Sequence, residues 1–152
     1  MSPAPSNAAQ TPELPDFLCF AIYSANLAFG RAYRPILEKL GLTSYTQFIA
    51  ITALWDEDNQ SVHSLGEKLF LESNTLTPIL KKLEALGYIR RQRDPNDERQ
   101  VIISLAPDGR RLRERARDIS LESACGLGKD FPKVQKAVVK LRDNLIRATQ
   151  DK

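Results

Sequence analysis

The chain has 152 residues, 42% of them hydrophobic, and a formal net charge of +3. That is enough apolar material for one compact domain, with or without dimerisation arms. No apolar run approaches the ~18 residues of a membrane span, and MSPAPSNAAQTPELP has neither the basic nor the apolar region of a secretory signal.

The expected location is therefore the cytoplasm, where two cysteines, Cys19 and Cys125, are more often reduced thiols than a structural disulfide. Pro3, Pro5, Pro12 and Pro15 mark residues 1–14 as a flexible arm. Asp16 is the expected cap of a first helix that runs to Leu40 and ends at Gly41, with Pro35 kinking or segmenting it. A second helix fits Tyr45 to Trp55, with Phe48, Ile51, Leu54 and Trp55 on one face. After the turn DEDNQS, Ser64 to Glu67 reads as an S-x-x-E capping box opening a short third helix through Leu71.

Leu76, Ile79, Leu80, Leu83 and Leu86 recur at helical spacing in a fourth helix that Gly87 terminates, with Pro78 expected in its first turn. YIRRQRD and QVIISL read as two strands around the turn PNDER. Pro107 opens a long fifth helix through Ala124, ended by Gly126 and Gly128, and Asp130 caps a sixth that runs to Thr149. The expected fold is mainly α with a small β-hairpin wing. Residues 45–106 form a winged helix-turn-helix, and residues 15–44 and 107–152 form a helical dimerisation region, because those long helices cannot bury their apolar faces alone.

A helix-turn-helix reads the major groove with its second helix. Here that helix begins SNTLTP. Asn74, Thr77 and Lys81 share its polar face, flanked by Ser73 and Thr75, and Lys81 and Lys82 suit phosphates. The same residues also serve as ordinary helix caps elsewhere. What favours DNA is the basic hairpin that follows, with Arg90, Arg91 and Arg93 on one strand and Arg99 beyond the tip, oriented by Asp97. Residues 81–117 hold eleven Lys and Arg against six acids, a balance that attracts a polyanion. Residues 110–117 alone read as a solvated helix face.

The segment LGEKLFLESNTLTPILKKLEALGYIRRQRDPNDERQVIISLAPDG, with its D-E-R-x-x-x-I-S-L-x-x-x-G signature, resembles the multiple-antibiotic-resistance regulator (MarR) family of dimeric winged-helix repressors. The likeness spans about residues 14–150. LCFAIY, Tyr33 and YTQFIAITALW resemble its organic-hydroperoxide-sensing (OhrR-type) branch. That resemblance implies a homodimer on double-stranded operator DNA and an organic hydroperoxide as inducer. Cys19 would be the redox-sensing, peroxidatic cysteine, with Tyr33 and Tyr45 hydrogen-bonded to the reduced thiol. Cys125 would be the resolving cysteine, forming an intersubunit disulfide that releases the DNA. No cofactor and no metal are implied, and no enzymatic activity. One departure touches the site: the branch's L-T-Y-P-Q-Y is here LTSYTQF, so matching Tyr45 takes one inserted residue, Ser44, and the proline is lost.

The residues themselves bear on the same chemistry. With Asp16 as cap, Cys19 is the third helical residue, where free amides and the helix dipole favour a thiolate. The apolar Phe17 and Phe20, candidate walls of a sensor pocket, oppose it by desolvation. Tyr23, four residues on, is a further candidate donor. Cys125, at the end of the predicted fifth helix, is a poor first nucleophile but can attack a sulfenic acid. The bland reading is two buried, inert cysteines. His63, the sole histidine, is a surface residue with no metal-ligand spacing around it. A ligand-responsive repressor of the same fold and a thiol peroxidase are the alternatives, and SNTLTPILKK with its basic wing argues against the enzyme.

Overall fold

A computed structural model describes residues 11–150 of the chain. Most of the flexible arm expected over residues 1–14 lies outside them. The described residues form seven α-helices, a small sheet and two 3-10 turns, at Leu14–Asp16 and Gly128–Asp130. The helices are α1 (Leu18–Lys39), α2 (Tyr45–Asp56), α3 (Val62–Leu69), α4 (Ser73–Ala85), α5 (Pro107–Ala116), α6 (Leu121–Ala124) and α7 (Phe131–Gln150). The strands are β1 (Gln60–Ser61), β2 (Ile89–Asp94) and β3 (Asp97–Leu105), ordered β1-β3-β2. Among the described residues no helix is long and apolar enough to cross a membrane.

The core sits where α2, α3 and α4 pack against the root of the hairpin. Ile51, Leu54, Leu65, Leu76, Leu80, Leu83 and Ile103 are fully buried, joined by Leu40, Leu42, Ile89 and Leu112. The leucine stripe of α4 thus faces inward and leaves the opposite face to solvent. Two glycines are required by close approach. A Cβ on Gly66 would lie 2.6 Å from the Leu71 carbonyl in the turn between α3 and α4, and one on Gly109 would lie 2.1 Å from the Tyr88 carbonyl. The second contact lets α5 begin directly against the wing, with Trp55 Nε1 donating to the Gly109 carbonyl at 2.9 Å.

The hairpin pairs Ile89 with Leu105 and Arg93 with Val101, with an irregularity between Arg93 and Asp94. The third strand, β1, was not expected. It pairs Gln60 with Ile103 and Ser61 with Ile102, and two residues are too few for a period to register in sequence.

Several local expectations are corrected. The cap of α1 is Phe17, not Asp16, and it offers no side-chain acceptor; Asp16 instead closes a reciprocal cap with Glu13 one turn earlier. Cys19 is consequently the second helical residue. Pro35 does not segment α1, which continues to Lys39. The cap of α3 is Ser61, which accepts from Ser64 N at 3.0 Å, so Ser64 to Glu67 lie inside the helix rather than at its start. Pro78 is the sixth residue of α4, past its first turn.

The predicted long fifth helix is two: α5 stops at Ala116, and Cys125 is the C-cap of the separate four-residue α6. Ser120 accepts from Ser123 N at 3.1 Å and starts α6 afresh, which competes with continuing α5. The arginines of α5 are also more than a solvated face. Arg113 Nη1 donates to the Trp55 carbonyl at 3.2 Å and Arg115 donates to the Lys39 carbonyl, so they cap the C-terminal ends of α2 and α1. Arg110 pairs with Asp58 at 3.4 Å, and the same carboxylate accepts from Leu105 N at 2.8 Å.

Candidate DNA-reading face and thiol site

Ser73, Asn74 and Thr75 occupy the exposed first turn of α4. Lys81 and Lys82 are exposed two turns on, and Thr77, half-buried, turns its hydroxyl to the Ser73 carbonyl at 2.7 Å. These residues therefore share the solvent side of the helix, while Leu76, Leu80 and Leu83 fix its rotation. On the wing, Asp97 Oδ1 accepts from both the backbone N and Nε of Arg99, at 3.1 and 3.3 Å. Arg93 Nη1 donates to the Glu98 carbonyl at 2.8 Å across the hairpin. Arg90 stays exposed, whereas Arg91 turns towards Glu84 of α4.

Cys19 is exposed and Cys125 is half-buried; both are free thiols. Cys19 lies in the first turn of α1, where the amides lack carbonyl partners and Phe17 supplies no cap. Phe17, Phe20 and Tyr23 around it are exposed, Phe20 and Tyr23 pairing at 6.4 Å between ring centroids.

Tyr33 lies fourteen residues further along α1. At a rise of ~1.5 Å per residue the two are about 21 Å apart, so within one chain Tyr33 does not reach Cys19. Its hydroxyl meets Cys125 Sγ instead, at 3.5 Å. The ring is 7% exposed and stacks between Phe29, at 5.3 Å, and Tyr45, at 5.9 Å. Burial pushes the Tyr33 phenol well above its usual range, and the hydrogen bond and charge of Cys125 add to the rise. Burial raises Tyr45 as well. Both hydroxyls therefore remain protonated donors at neutral pH.

Ser44 explains how Tyr45 keeps this position despite the inserted residue. Its hydroxyl accepts from Gln47 N at 3.2 Å and caps α2, so Tyr45 becomes the first helical residue. The buried Gln47 holds the preceding turn, accepting from Thr43 N at 3.0 Å and donating to Thr43 Oγ1 at 2.9 Å. Beside the tyrosines lies a cavity of about 470 Å³ lined by Phe29, Gly30, Tyr33, Ser44 and Tyr45.

Phe29 was not singled out from the sequence, although its position four residues before Tyr33 on α1 is the signal that could have found it. The aromatic series continues from Tyr45 through Phe48 to Trp55, at 6.4 Å for each step. The structure thus joins Tyr33, Tyr45 and Cys125 in one cluster and leaves Cys19, Phe17, Phe20 and Tyr23 in another. Among the described residues no cluster of three or more His, Cys, Asp or Glu is arranged to hold a metal.

Residues 31–115 match the family Transcriptional regulator SarA/Rot. The organic hydroperoxide resistance transcriptional regulator of Bacillus subtilis is 39% identical over 137 residues, covering 88% of this chain and 92% of that protein. The regulator TtmR of Methylorubrum extorquens is 54% identical over 96 residues, 63% of this chain, and that match spans about half (49%) of TtmR. Among solved structures, AbfR of Staphylococcus epidermidis was determined in several states. The reduced form bound to DNA is 32% identical with a TM-score of 0.77, covering 87% of this chain and 92% of that one. The overoxidised form on DNA scores 0.70 at 34% identity, with 84% and 91% covered, and the disulfide form scores 0.62 at 32%, with 88% and 90% covered. Of these three forms, the reduced one on DNA gives the highest score.

Proposed function

Because the chain belongs to the SarA/Rot family of MarR-like winged-helix transcriptional regulators, we propose that it is a homodimeric repressor that leaves its operator when an organic hydroperoxide oxidises Cys19. The DNA contacts would be Ser73, Asn74, Thr75 and Thr77 on base edges, Lys81 and Lys82 on phosphates, and Arg93 and Arg99 of the wing, with Asp97 holding Arg99.

The separation of the two thiols carries the reading. Cys125 sits at the hydroxyl of Tyr33, whose backbone lies about 21 Å along α1 from that of Cys19. A disulfide needs Cα atoms within about 7 Å, which favours a bond between Cys19 and Cys125 that joins two subunits. The same distance means that Tyr33 and Tyr45 serve Cys19 only across a dimer. Dimerisation agrees with the helices: α7 has no buried side chain, and Leu18, Leu27, Val138 and Leu145 leave apolar faces exposed on α1 and α7.

The chemistry balances with the peroxide alone. The Cys19 thiolate attacks the O–O bond, giving a sulfenic acid and, after protonation, an alcohol. The partner subunit's Cys125 then displaces water from the sulfenic sulfur and forms the disulfide. That bond draws the start of α1 towards α6, and the reading heads lose the spacing of about 34–36 Å that successive major grooves require.

The test uses operator fragments from the chain's own upstream DNA. After cumene hydroperoxide, wild type leaves DNA and runs as a dimer on a non-reducing gel. Cys19→Ser stays bound. Cys125→Ser oxidises but stops at a sulfenic acid or a mixed disulfide. A wild-type band that remains at monomer size, with no disulfide by mass spectrometry, rules out the intersubunit bond.

The cavity of about 470 Å³ beside Tyr33 favours one alternative, a regulator that responds to a small phenolic or carboxylic ligand without thiol chemistry. Release from DNA that survives loss of both cysteines would select it.

A further inference from the structure

We propose that Phe70 and Arg142 are positioning residues for the reading helix. The Arg142 guanidinium of α7 stacks on the Phe70 ring in the turn between α3 and α4, and so fixes the angle at which α4 is presented to DNA. The proposal rests on α4 reading DNA from a dimer and is independent of the thiol chemistry.

A strained backbone points to it. Phe70 closes α3 in the left-handed region, at φ 59° and ψ 35°. Helices commonly end there on glycine, because a Cβ is penalised in that region. Asn59 is the other non-glycine residue with positive φ among the described residues, and asparagine takes that conformation readily. A phenylalanine does not. Backbone hydrogen bonds close the turn without help from the ring, from Phe70 N to the Glu67 carbonyl at 3.4 Å and from Leu71 N to the Gly66 carbonyl at 2.9 Å. The ring does not fill the core either, since Phe70 is 61% exposed. A glycine would make the same turn with less strain. The side chain is therefore explained by what it meets outside the core.

It meets Arg142, whose guanidinium carbon stands 4.9 Å from the ring centroid, within cation–π range. Asp143 accepts from Arg142 Nε at 3.1 Å and steadies the guanidinium. Arg142 follows Val138 by four residues and precedes Leu145 by three, so it flanks the apolar stripe by which α7 would dimerise. No side-chain hydrogen bond or ion pair among the described residues joins α7 to residues 45–106. The stacked pair supplies that link at a sensitive place, because α4 starts at Ser73 with only Leu71 and Glu72 between. A turn pinned to α7 sets where Ser73 and Asn74 stand relative to the dimer helix. A turn cut loose presents them over a wider range of angles, and a two-headed protein then matches the two half-sites of an operator less well. Binding through phosphates alone needs no such register and is spared.

The test uses the full chain in its reduced state. In protein carrying isotope-labelled arginine, without DNA, the Arg142 δ-proton signal is assigned by its loss in Arg142→Lys. It is expected upfield of the other arginines through the ring current, and Phe70→Leu is expected to return it to their range. Phe70→Gly relieves the backbone, so its thermal midpoint is expected to hold or to rise, by up to about 4 °C. Its affinity for an operator fragment from the chain's own upstream DNA is expected to fall about 2- to 5-fold, the factor that an exposed cation–π contact is worth. Affinity for a random duplex stays at the wild-type value. Arg142→Ala is expected to lower operator affinity by the same factor, to keep the wild-type salt slope, and to add nothing when combined with Phe70→Gly. An Arg142 signal that ignores Phe70→Leu overturns the contact. A Phe70→Gly midpoint that falls shows that the ring packs the fold, and a midpoint that holds or rises with operator affinity intact shows that the ring positions nothing; either overturns the proposal. Losses that add in the combined variant overturn it too, as does a salt slope lower by about 1 in Arg142→Ala, which would make Arg142 a phosphate ligand. A wild type that binds operator and random duplex alike overturns the DNA reading itself, and the magnetic-resonance arm, run without DNA, keeps that outcome apart from failure of the contact.

Discussion

At the scale of single residues, Tyr33 is a buried phenol whose hydroxyl meets Cys125 Sγ. Its phenol is raised by burial and by Cys125, so the folded chain favours the protonated form more than the unfolded chain does. The sign follows from linkage. The contribution is fully present below the unfolded value of about 10 and is lost as pH rises above it, where the unfolded state gains by ionising. Thermal midpoints should therefore fall between about pH 10 and pH 11, and Tyr33→Phe should flatten that fall. An unchanged slope in the variant would assign the alkaline loss to other groups. On the DNA face, Lys81→Ala should weaken operator and non-specific binding alike and lower the salt slope by about 1, as expected for one phosphate contact. Asn74→Ala should instead narrow the gap between specific and non-specific affinity.

At the scale of elements, the α3–α4 pair and the hairpin are held by leucine burial and by two close glycine contacts. Leu80 is fully buried between helices, so Leu80→Ala should cost about 2–5 kcal/mol in urea unfolding. Gly109→Ala drives a methyl group to 2.1 Å from the Tyr88 carbonyl and must push α5 off the wing, costing roughly 3 kcal/mol. Gly30, also helical, has open space where a methyl group would stand, with nothing within 4 Å, so Gly30→Ala should be neutral or stabilise by up to about 1 kcal/mol. Equal losses for the two glycines would show that helix propensity, not close approach, governs both. The arginines of α5 belong to this scale too. Arg113 and Arg115 hold the C-terminal ends of α2 and α1, which ties both helices to α5 at the root of the wing.

At the scale of the whole molecule, α7 is the decisive element. Twenty residues long and without a buried side chain, it has no reason to persist as a lone helix. Val138 and Leu145 are two of its three large exposed apolar residues, with Val134, and lie seven positions, about two turns, apart. Replacing both with Asp should give a monomer by sedimentation and abolish tight operator binding, while the winged core keeps its helical content. A dimer that survives this change would move the interface to α1 alone. The proposed switch also lives at this scale, since it draws its two thiols from different subunits.

Periodicity and turn chemistry carry far in this sequence. The leucines of α4, the polar start SNTLTP and the paired strands around PNDER made the winged helix-turn-helix legible, because a buried stripe and a tight turn are local requirements on residue type. The helix bounds at Ser61 and Phe17 were not, because several Ser, Asp and Glu side chains nearby could cap equally well and only packing selects among them. The division of the long fifth helix was missed for the same reason: residues 117–120 are tolerable in a helix, and the capping of α6 by Ser120 wins only once Leu121 and Ala124 pack against the core. The two cysteines were visible as chemistry from residue type and expected helix position, and Tyr33 and Tyr45 through the resemblance to the hydroperoxide-sensing branch. That Tyr33 meets Cys125 was decided by tertiary structure, since the two lie 92 residues apart along the chain and only the packing of α6 beside α1 brings the sulfur to the phenol.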